Sequence, residues 1–450
     1  MNILFCCEFY APTVGGVQEV MKQLAQRLVT RGHSVTIATT AIRSRGFSEL
    51  HGVKVQEFSI SGNLAKGMKG DVTRYRRFVT TGAFDIVMVK AAQQWTFDAL
   101  WPVLADIEAG KVFIPCGFSG LYEPAYGEYF ERLPAILRQF DHLIFYASNY
   151  RDINFASRHG VKSYSIIPNG ASEVEFSVAA DASFRQRHEI GSDDLLFLTV
   201  GSLGRAKGHL DVAKSFLSVD LAGQPATLFL NGNEGGYATN SSALEVMAGK
   251  AREYIRVIND IYRAEGLPSA GKHVVHGLLN KAGVRLGRYA AGTSLGVVTF
   301  RKELQEIIKQ IHAQESRKRV LVTDFSRSEL VQAYVNADLF VFASHVEYSP
   351  LVLFESAAAG TPFLSVPVGN ASEIAEWTGA GVICPASQDN RGYTEVDPAL
   401  FAAQWSRLAH DRTKLERLGA AGKRNWADRF TWEKIADQYE GVFRKVVAHA

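Results

Sequence analysis

Two glutamates, Glu347 and Glu355, flank the run Tyr348-Ser349-Pro350-Leu351-Val352-Leu353-Phe354. The first follows a strand-like apolar stretch, Asp338 to Ala343. The second falls in a helical stretch beside Leu353, Phe354 and Ala357 to Ala359. A carboxylate buried in such company costs energy unless it has a partner, and a ribose diol is a suitable one. The alternative is a place on the solvated face of the helix. Upstream lies Gly201-Ser202-Leu203-Gly204-Arg205-Ala206-Lys207-Gly208, between another strand and another helix. There Arg205 and Lys207 set positive charge beside exposed backbone N–H groups, an arrangement that suits a diphosphate. Surface lysines at an ordinary turn have the same look. The glycine spacing is not that of a P-loop, so ATPase chemistry fits poorly.

Two weaker constellations accompany these. Gly15-Gly16 lies between a strand end and a helix start, where glycines let the backbone approach a ligand and leave helix N–H groups open. A turn without function looks similar, and the G-x-G-x-x-G dinucleotide fingerprint is absent. In Pro367 to Glu373 a glycine-containing turn offers N–H groups to phosphate, or Glu373 caps the next helix; the residues leave both open. No D-x-D pair occurs, no His/Cys/Asp cluster has metal spacing and no G-x-S-x-G elbow is present. No metal and no resident cofactor are therefore expected.

The elements that must position these residues repeat one grammar. Ile3 to Cys7 reads as a buried strand, Val17, Met21, Leu24 and Leu28 as a helix face ended by Gly32, and Val35 to Ala38 as the next strand. Further strands are expected at Phe84 to Val89, Lys111 to Pro115, His142 to Tyr146 and Tyr164 to Ile167. The pattern restarts at Leu195 to Val200 and continues at Ala226 to Leu230, Arg319 to Thr323, Asp338 to Ala343, Pro362 to Val366 and Gly381 to Cys384. The fold class is α/β: two doubly wound Rossmann-like domains facing a cleft, with ligands beyond the carboxyl ends of the strands. Residues 1–180 form the first domain and 190–428 the second. The stretch 243–317 reads as an unusual insertion, with a helix through Ile255, Ile258, Ile261 and Tyr262, a glycine-rich loop from Gly283 to Gly296, and a helix from Glu303 to Ala313. Near the end, Phe401, Trp405 and Leu408 share one helix face, and Trp432, Ile435, Tyr439 and Phe443 share another.

Bulk properties exclude several classes. The chain has 450 residues, 47% of them apolar and 21% charged, with a formal net charge of +3. Two sizeable cores are affordable in this composition, disorder is not expected, and the charge gives no nucleic-acid footprint. The four cysteines, Cys6, Cys7, Cys116 and Cys384, match neither a zinc site nor a disulfide framework and read as reduced core residues. The N-terminus lacks a basic signal-like region and Glu8 interrupts its apolar run, so a cytoplasmic location is expected. Lys66, Lys69, Arg74, Arg76 and Arg77, interspersed with Leu64, Met68, Tyr75 and Phe78, read either as a solvated loop or as a basic surface helix meeting anionic lipid at the inner face of a membrane.

Taken in order, the motifs resemble glycosyltransferase family 4. Pro12-Thr13-Val14-Gly15-Gly16-Val17 with Leu24, Leu28 and Arg31-Gly32-His33 is similar to the family's opening signature. Ile166-Ile167-Pro168-Asn169-Gly170, with Phe176, resembles its closing strand motif, Val200 to Gly208 its phosphate loop, and Glu347 to Glu355 its E-x7-E motif. The resemblance implies the GT-B fold and retaining transfer from a UDP- or GDP-linked sugar, usually without metal, to a glycan or lipid-linked acceptor in surface polysaccharide synthesis. It assigns Lys207, Glu347 and Arg205 to catalysis. Gly15, Gly16, Gly201, Ser202, Lys207, Leu351, Val352 and Glu355 would bind the donor, with Glu355 on the ribose, Glu347 near the sugar and Lys207 on the diphosphate. A final helix near residues 430–450 would cross back onto the first domain. Two positions depart from the pattern: Ser202 stands where the family usually has Arg, and Pro115-Cys116-Gly117-Phe118-Ser119-Gly120 lacks its frequent His. These departures keep open a non-catalytic sugar-nucleotide-binding partner, and the fold is shared with epimerases and phosphorylases.

Overall fold

The structure, a computed structural model, describes residues 1–232, 294–314 and 317–449. The expected helix through Ile255 and Tyr262 and most of the expected glycine-rich loop lie outside the described residues. Helix Ser294–Ala313 begins well before the expected Glu303. Phe300, Leu304 and Ile311 bury one continuous stripe of it against the second core, which extends the helical register upstream.

The first sheet contains β1 (Asn2–Cys6), β2 (Ser34–Thr40), β3 (Glu49–Leu50) and β4 (Val53–Phe58). After a small hairpin of β5 (Ile60–Ser61) and β6 (Lys69–Gly70), it gains β7 (Ile86–Lys90), β8 (Gly110–Ile114), β9 (His142–Phe145) and β10 (Tyr164–Ile166). Its order is β10-β9-β8-β7-β1-β2-β4-β3, parallel except for the β3–β4 edge pair. The register sets Ile3 beside Val35 on one side and Ile86 on the other. Strands covered on both faces are largely apolar, as in β7, where every residue is buried, Lys90 at its end included. Strand β4 escapes the sequence reading because Lys54, Gln56 and Glu57 break its run; only Val53 and Phe58 are buried.

The second sheet comprises β11 (Leu195–Val200), β12 (Ala226–Asn231), β13 (Lys318–Thr323), β14 (Leu339–Phe342), β15 (Phe363–Ser365) and β16 (Gly381–Ile383). It is wholly parallel, in the order β13-β12-β11-β14-β15-β16. Both sheets therefore reverse direction at a central strand pair, β1/β7 in the first and β11/β14 in the second. Crevices open there beyond the carboxyl ends.

The chain enters the second core early: Ala171 and Phe176 pack into it, and the Phe176 ring lies 6.0 Å from that of Tyr334. It returns at the end. Ala171 N donates to Phe430 O at 3.0 Å and Trp432 N to Ala171 O at 3.3 Å, so the two crossings lie side by side. Helix Trp432–His449 then buries Trp432, Ile435, Tyr439 and Phe443 against the first sheet. Arg31 pairs with Glu433, Asp437 and Glu440, and His33 Nε2 lies 3.1 Å from Glu440. The Arg-Gly-His of the opening signature thus holds the final helix in place.

Of the basic segment near residue 70, part is helical and part is loop and hairpin. Helix Val72–Thr81 turns Tyr75 fully inward, and Leu64, Met68 and Phe78 pack against the first core. Arg74 pairs with Asp71 and sits over the Phe58 ring, while Arg76 donates to Ala99 O. The apolar members serve the core because Phe58, Trp95 and Tyr75 cluster edge to face beneath them. What remains on the surface is charge. Among the described residues no helix is long and apolar enough to cross a membrane.

Because Phe443 is fully buried against Phe5, Phe443→Ala is expected to destabilise the first domain by about 3–5 kcal/mol. Denaturant unfolding measures this, and a loss below about 1 kcal/mol would contradict the packing role of the last helix.

Candidate active site

The loop after β11 and the loop after β14 leave the second sheet at its crevice and meet there. Residues Arg205–Lys207 make a single 3-10 turn, and Gly208 follows in the left-handed region at φ 73°. A Cβ on Gly208 would stand 1.9 Å from Ala343 O, so only glycine lets the two loops touch. His345 N donates to Ala206 O at 2.9 Å, and Ser344 Oγ lies 3.1 Å from the same oxygen. His345 Nε2 lies 2.7 Å from Asp211. The loops are thereby fastened into one rim.

On that rim Lys207 Nζ lies 2.6 Å from Glu347 Oε1, which also accepts from Ser344 Oγ at 2.9 Å. The ammonium side chain is about one-third exposed and the carboxylate side chain less so, at 32% and 15%. The cation is therefore reachable from the cleft, with its counter-charge behind it. Of the residues singled out from sequence, Lys207 and Glu347 are brought together here. Gly201, whose N–H is bound to Asn231 O at 3.1 Å, lies under the Lys207 stem.

Arg205 is not part of this pair. Its guanidinium reaches Glu303 on helix Ser294–Ala313 at 2.7 Å, because the 3-10 turn sends residues 205 and 207 in different directions. Glu355 is buried at 8% exposure, and the partner its burial demands is present: Arg327 Nη2 at 2.6 Å. Arg327, itself partly exposed, also binds Glu175, and the two carboxylates hold the guanidinium charged. Neither the sequence motifs nor their spacing identified Arg327, which lies 28 residues before Glu355.

The facing domain presents the N-terminus of helix Gly16–Thr30 to the E-x7-E segment. A Cβ on Gly16 would lie 3.7 Å from Leu351 Cδ1, so the first glycine-rich turn and the start of helix Leu351–Ala359 are neighbours across the cleft. Gly15, Ser202 and Val352 line the same loops and helix start. The Glu373 side chain reaches across instead of capping its own helix: it accepts from Ser148 N and Oγ and from Asn149 N of the first domain.

Next to this junction the first domain holds a cavity of about 460 Å³ at the carboxyl ends of β1, β7 and β8. Glu8, Asn63, Gln93, Gln94 and Cys116 line it, with exposed Lys66 at its mouth. Gln94 Oε1 is buried there without a hydrogen-bond partner. Burial, with Asp98 close behind, pushes the Glu8 carboxyl up to about 7. Sequence reasoning passed over this group; its one signal was a carboxylate set at the end of the apolar run of β1. The thiols of Cys6 and Cys7 are buried, with pKa values pushed up to about 12, and Cys116 is half-buried. Among the described residues no group of three or more His, Cys, Asp or Glu is arranged to hold a metal ion.

Residues 294–424 match the family model described as glycosyl transferases group 1. A D-inositol 3-phosphate glycosyltransferase of Streptomyces bingchenggensis is 30% identical over 122 residues, which is 27% of this chain and 25% of the relative. An N-acetyl-alpha-D-glucosaminyl L-malate synthase of Bacillus anthracis is 25% identical over 142 residues, 32% and 34% of the two chains. The chain thus matches about a quarter to a third of the length of these curated relatives. Solved structures match throughout. A sucrose-phosphate synthase of Thermosynechococcus elongatus has a TM-score of 0.66 at 17% identity, covering 100% of both chains. HepE of Anabaena, solved in complex with UDP, has a TM-score of 0.67 at 14% identity over 99% of this chain and 100% of that one. At these identities the likeness shows the fold, and the fold is GT-B.

The raised value at Glu8 has a checkable consequence. Stability contributed by this group falls as pH rises from its unfolded-state value through about 7, since the folded protein keeps the proton longer. NMR titration of the Glu8 side-chain carboxyl is expected to give a midpoint near 7. A midpoint at the ordinary glutamate value of about 4.3 would show that the cavity does not desolvate it.

Proposed function

We propose that this protein is a retaining glycosyltransferase that moves a sugar from a UDP- or GDP-linked donor to a hydroxyl of a glycan or lipid-linked acceptor, in surface polysaccharide synthesis. The observation that carries the reading is the Lys207–Glu347 pair at the β11/β14 crevice, across from the N-terminus of helix Gly16–Thr30. The match of residues 294–424 and the UDP bound by HepE support a nucleotide-sugar donor.

In this reading the donor diphosphate lies between Lys207, the loop Gly201–Ser202 and the amide-rich helix start at Gly15–Gly16, with Leu351 and Val352 beside the nucleotide. Glu355, held by Arg327, accepts from the ribose hydroxyls through its remaining lone pairs, and Glu347 faces the sugar. As the bond from the anomeric carbon to the diphosphate oxygen breaks, its electron pair leaves with that oxygen, the acceptor oxygen bonds to the anomeric carbon on the same face, and the acceptor proton passes to the departing diphosphate. The Lys207 ammonium stabilises that charge more in the transition state than in the ground state. The acceptor hydroxyl enters from the first domain, where the polar cavity around Glu8, Gln93 and Gln94 offers donors and acceptors to a hydroxyl-rich molecule. Arg205 acts at one remove, holding the helix that bears Glu303. The reading includes peripheral attachment at the inner face of a membrane through exposed Lys66, Lys69 and Arg77. Co-sedimentation with anionic liposomes checks that clause, and pelleting unchanged by charge reversal at these three residues would contradict it.

Purified protein offered UDP- and GDP-sugars is expected to release free sugar slowly with one of them; binding without release under any acceptor would favour a non-catalytic partner. Lys207→Ala should lower kcat by roughly 10²-fold with a smaller change in donor Kd. Glu355→Gln should instead weaken donor binding by about 1–3 kcal/mol, read by calorimetry. A Lys207→Ala protein with wild-type kcat, or a folded Glu355→Gln protein with wild-type affinity, would sink the corresponding assignment.

A further inference from the structure

The residue after Glu347 is bound to the other domain. The Tyr348 ring stacks on Tyr146 at 5.3 Å and 27°, and lies 4.8 Å from the ring of Tyr150. Its hydroxyl accepts from Tyr146 N at 2.9 Å and donates to the carboxylate of fully buried Asp152. Asp152 in turn accepts from Gly117 N at 2.8 Å. Gly117 is left-handed at φ 86°, and a Cβ there would come within 3.2 Å of the Tyr348 ring. The first domain thus provides a socket, and Tyr348 fills it.

The backbone around the plug is equally constrained. Glu347 O accepts from Tyr150 Oη at 2.7 Å, and Ser349 O from Asn169 Nδ2 at 3.0 Å. Tyr348 O accepts from Asn370 N at 2.9 Å, while Asn370 Nδ2 donates to Tyr146 O at 2.9 Å. Three successive carbonyls of the segment carrying Glu347 are therefore fixed, two of them by side chains outside the second sheet. A segment with one functional side chain and an aromatic anchor beside it has its carboxylate position set by the anchor.

We propose that Tyr348 is a positioning residue: seated between Tyr146 and Tyr150 and bonded to Asp152, it sets the Glu347 carboxylate against Lys207 only when the two domains are closed. The inference rests on the glycosyltransferase reading for its kinetic consequence, but the socket itself is a statement about domain closure. Sugar transfer is thereby coupled to the first domain, and an open protein binds nucleotide without placing Glu347 for chemistry.

Three variants test it. Tyr348→Ala empties the socket, Gly117→Ala crowds it, and Tyr348→Phe keeps the stacking while removing the hydroxyl. UDP-glucose and GDP-mannose hydrolysis give kcat, calorimetry with UDP and GDP gives Kd, and small-angle scattering gives the domain separation. Tyr348→Ala and Gly117→Ala are expected to lose about tenfold or more in kcat. Their nucleotide Kd should stay within about twofold of wild type. Their scattering should show an expanded particle, and Tyr348→Phe should fall between them and wild type. Wild-type scattering in both socket variants overturns the proposal whether or not any donor is turned over. So does unchanged kcat in an expanded particle, or a loss confined to nucleotide Kd. A wild-type protein that hydrolyses neither donor counts against the proposed function, and the scattering comparison still decides the socket.

Discussion

A lysine held 2.6 Å from a glutamate, at the crevice of a parallel sheet, is a cation stored for use. Its counter-charge keeps the ammonium affordable in a partly enclosed place, and its one-third exposure leaves it available to an anion arriving from the cleft. The surrounding architecture serves to put these two groups together. They are 140 residues apart in sequence and come from loops after different strands. The sheet order that sets β11 beside β14 brings the loops to one edge, and the absence of a Cβ at Gly208 lets them touch.

The second requirement is that the first domain face this pair in a fixed relation. The chain meets it by crossing twice at one place, with Ala171 against Phe430 and Trp432. It then spends its last helix on the first sheet, tied there by Arg31 and His33. Across the cleft the domains meet through small, directional contacts: Glu373 on Ser148 and Asn149, Leu351 against Gly16, and Tyr348 in its socket. Such contacts are directional and specify one geometry. A transferase of the proposed kind must admit its substrates and then exclude water.

Much of this was legible in the residues. Buried parallel strands are mostly apolar runs, so twelve strands could be located from such runs along the sequence. Leu195–Val200 matches residue for residue. Strand Val53–Phe58 was not legible, because Lys54, Gln56 and Glu57 interrupt its apolar run and only its two ends are buried. The E-x7-E spacing and the glycines around Lys207 are local patterns and could be read directly. The Arg327–Glu355–Glu175 group, the direction of Arg205 and the Tyr348 socket could not, since each depends on side chains that only the tertiary fold brings together. The basic pattern near residue 70 leaves open a solvated loop or a basic surface helix, and Val72–Thr81 is a helix. Its aromatic member serves the core, a choice that periodicity does not reveal for a short amphipathic segment.

The account stands on the claim that the Lys207–Glu347 pair opens toward a donor diphosphate. A crystal structure of the protein with a bound UDP- or GDP-sugar tests it most directly. The account predicts a diphosphate oxygen within about 3 Å of Lys207 Nζ, with the nucleotide ribose at Glu355 and the sugar beside Glu347. A diphosphate bound away from the β11/β14 crevice, with the Lys207–Glu347 contact intact and no donor atom near either residue, would contradict it.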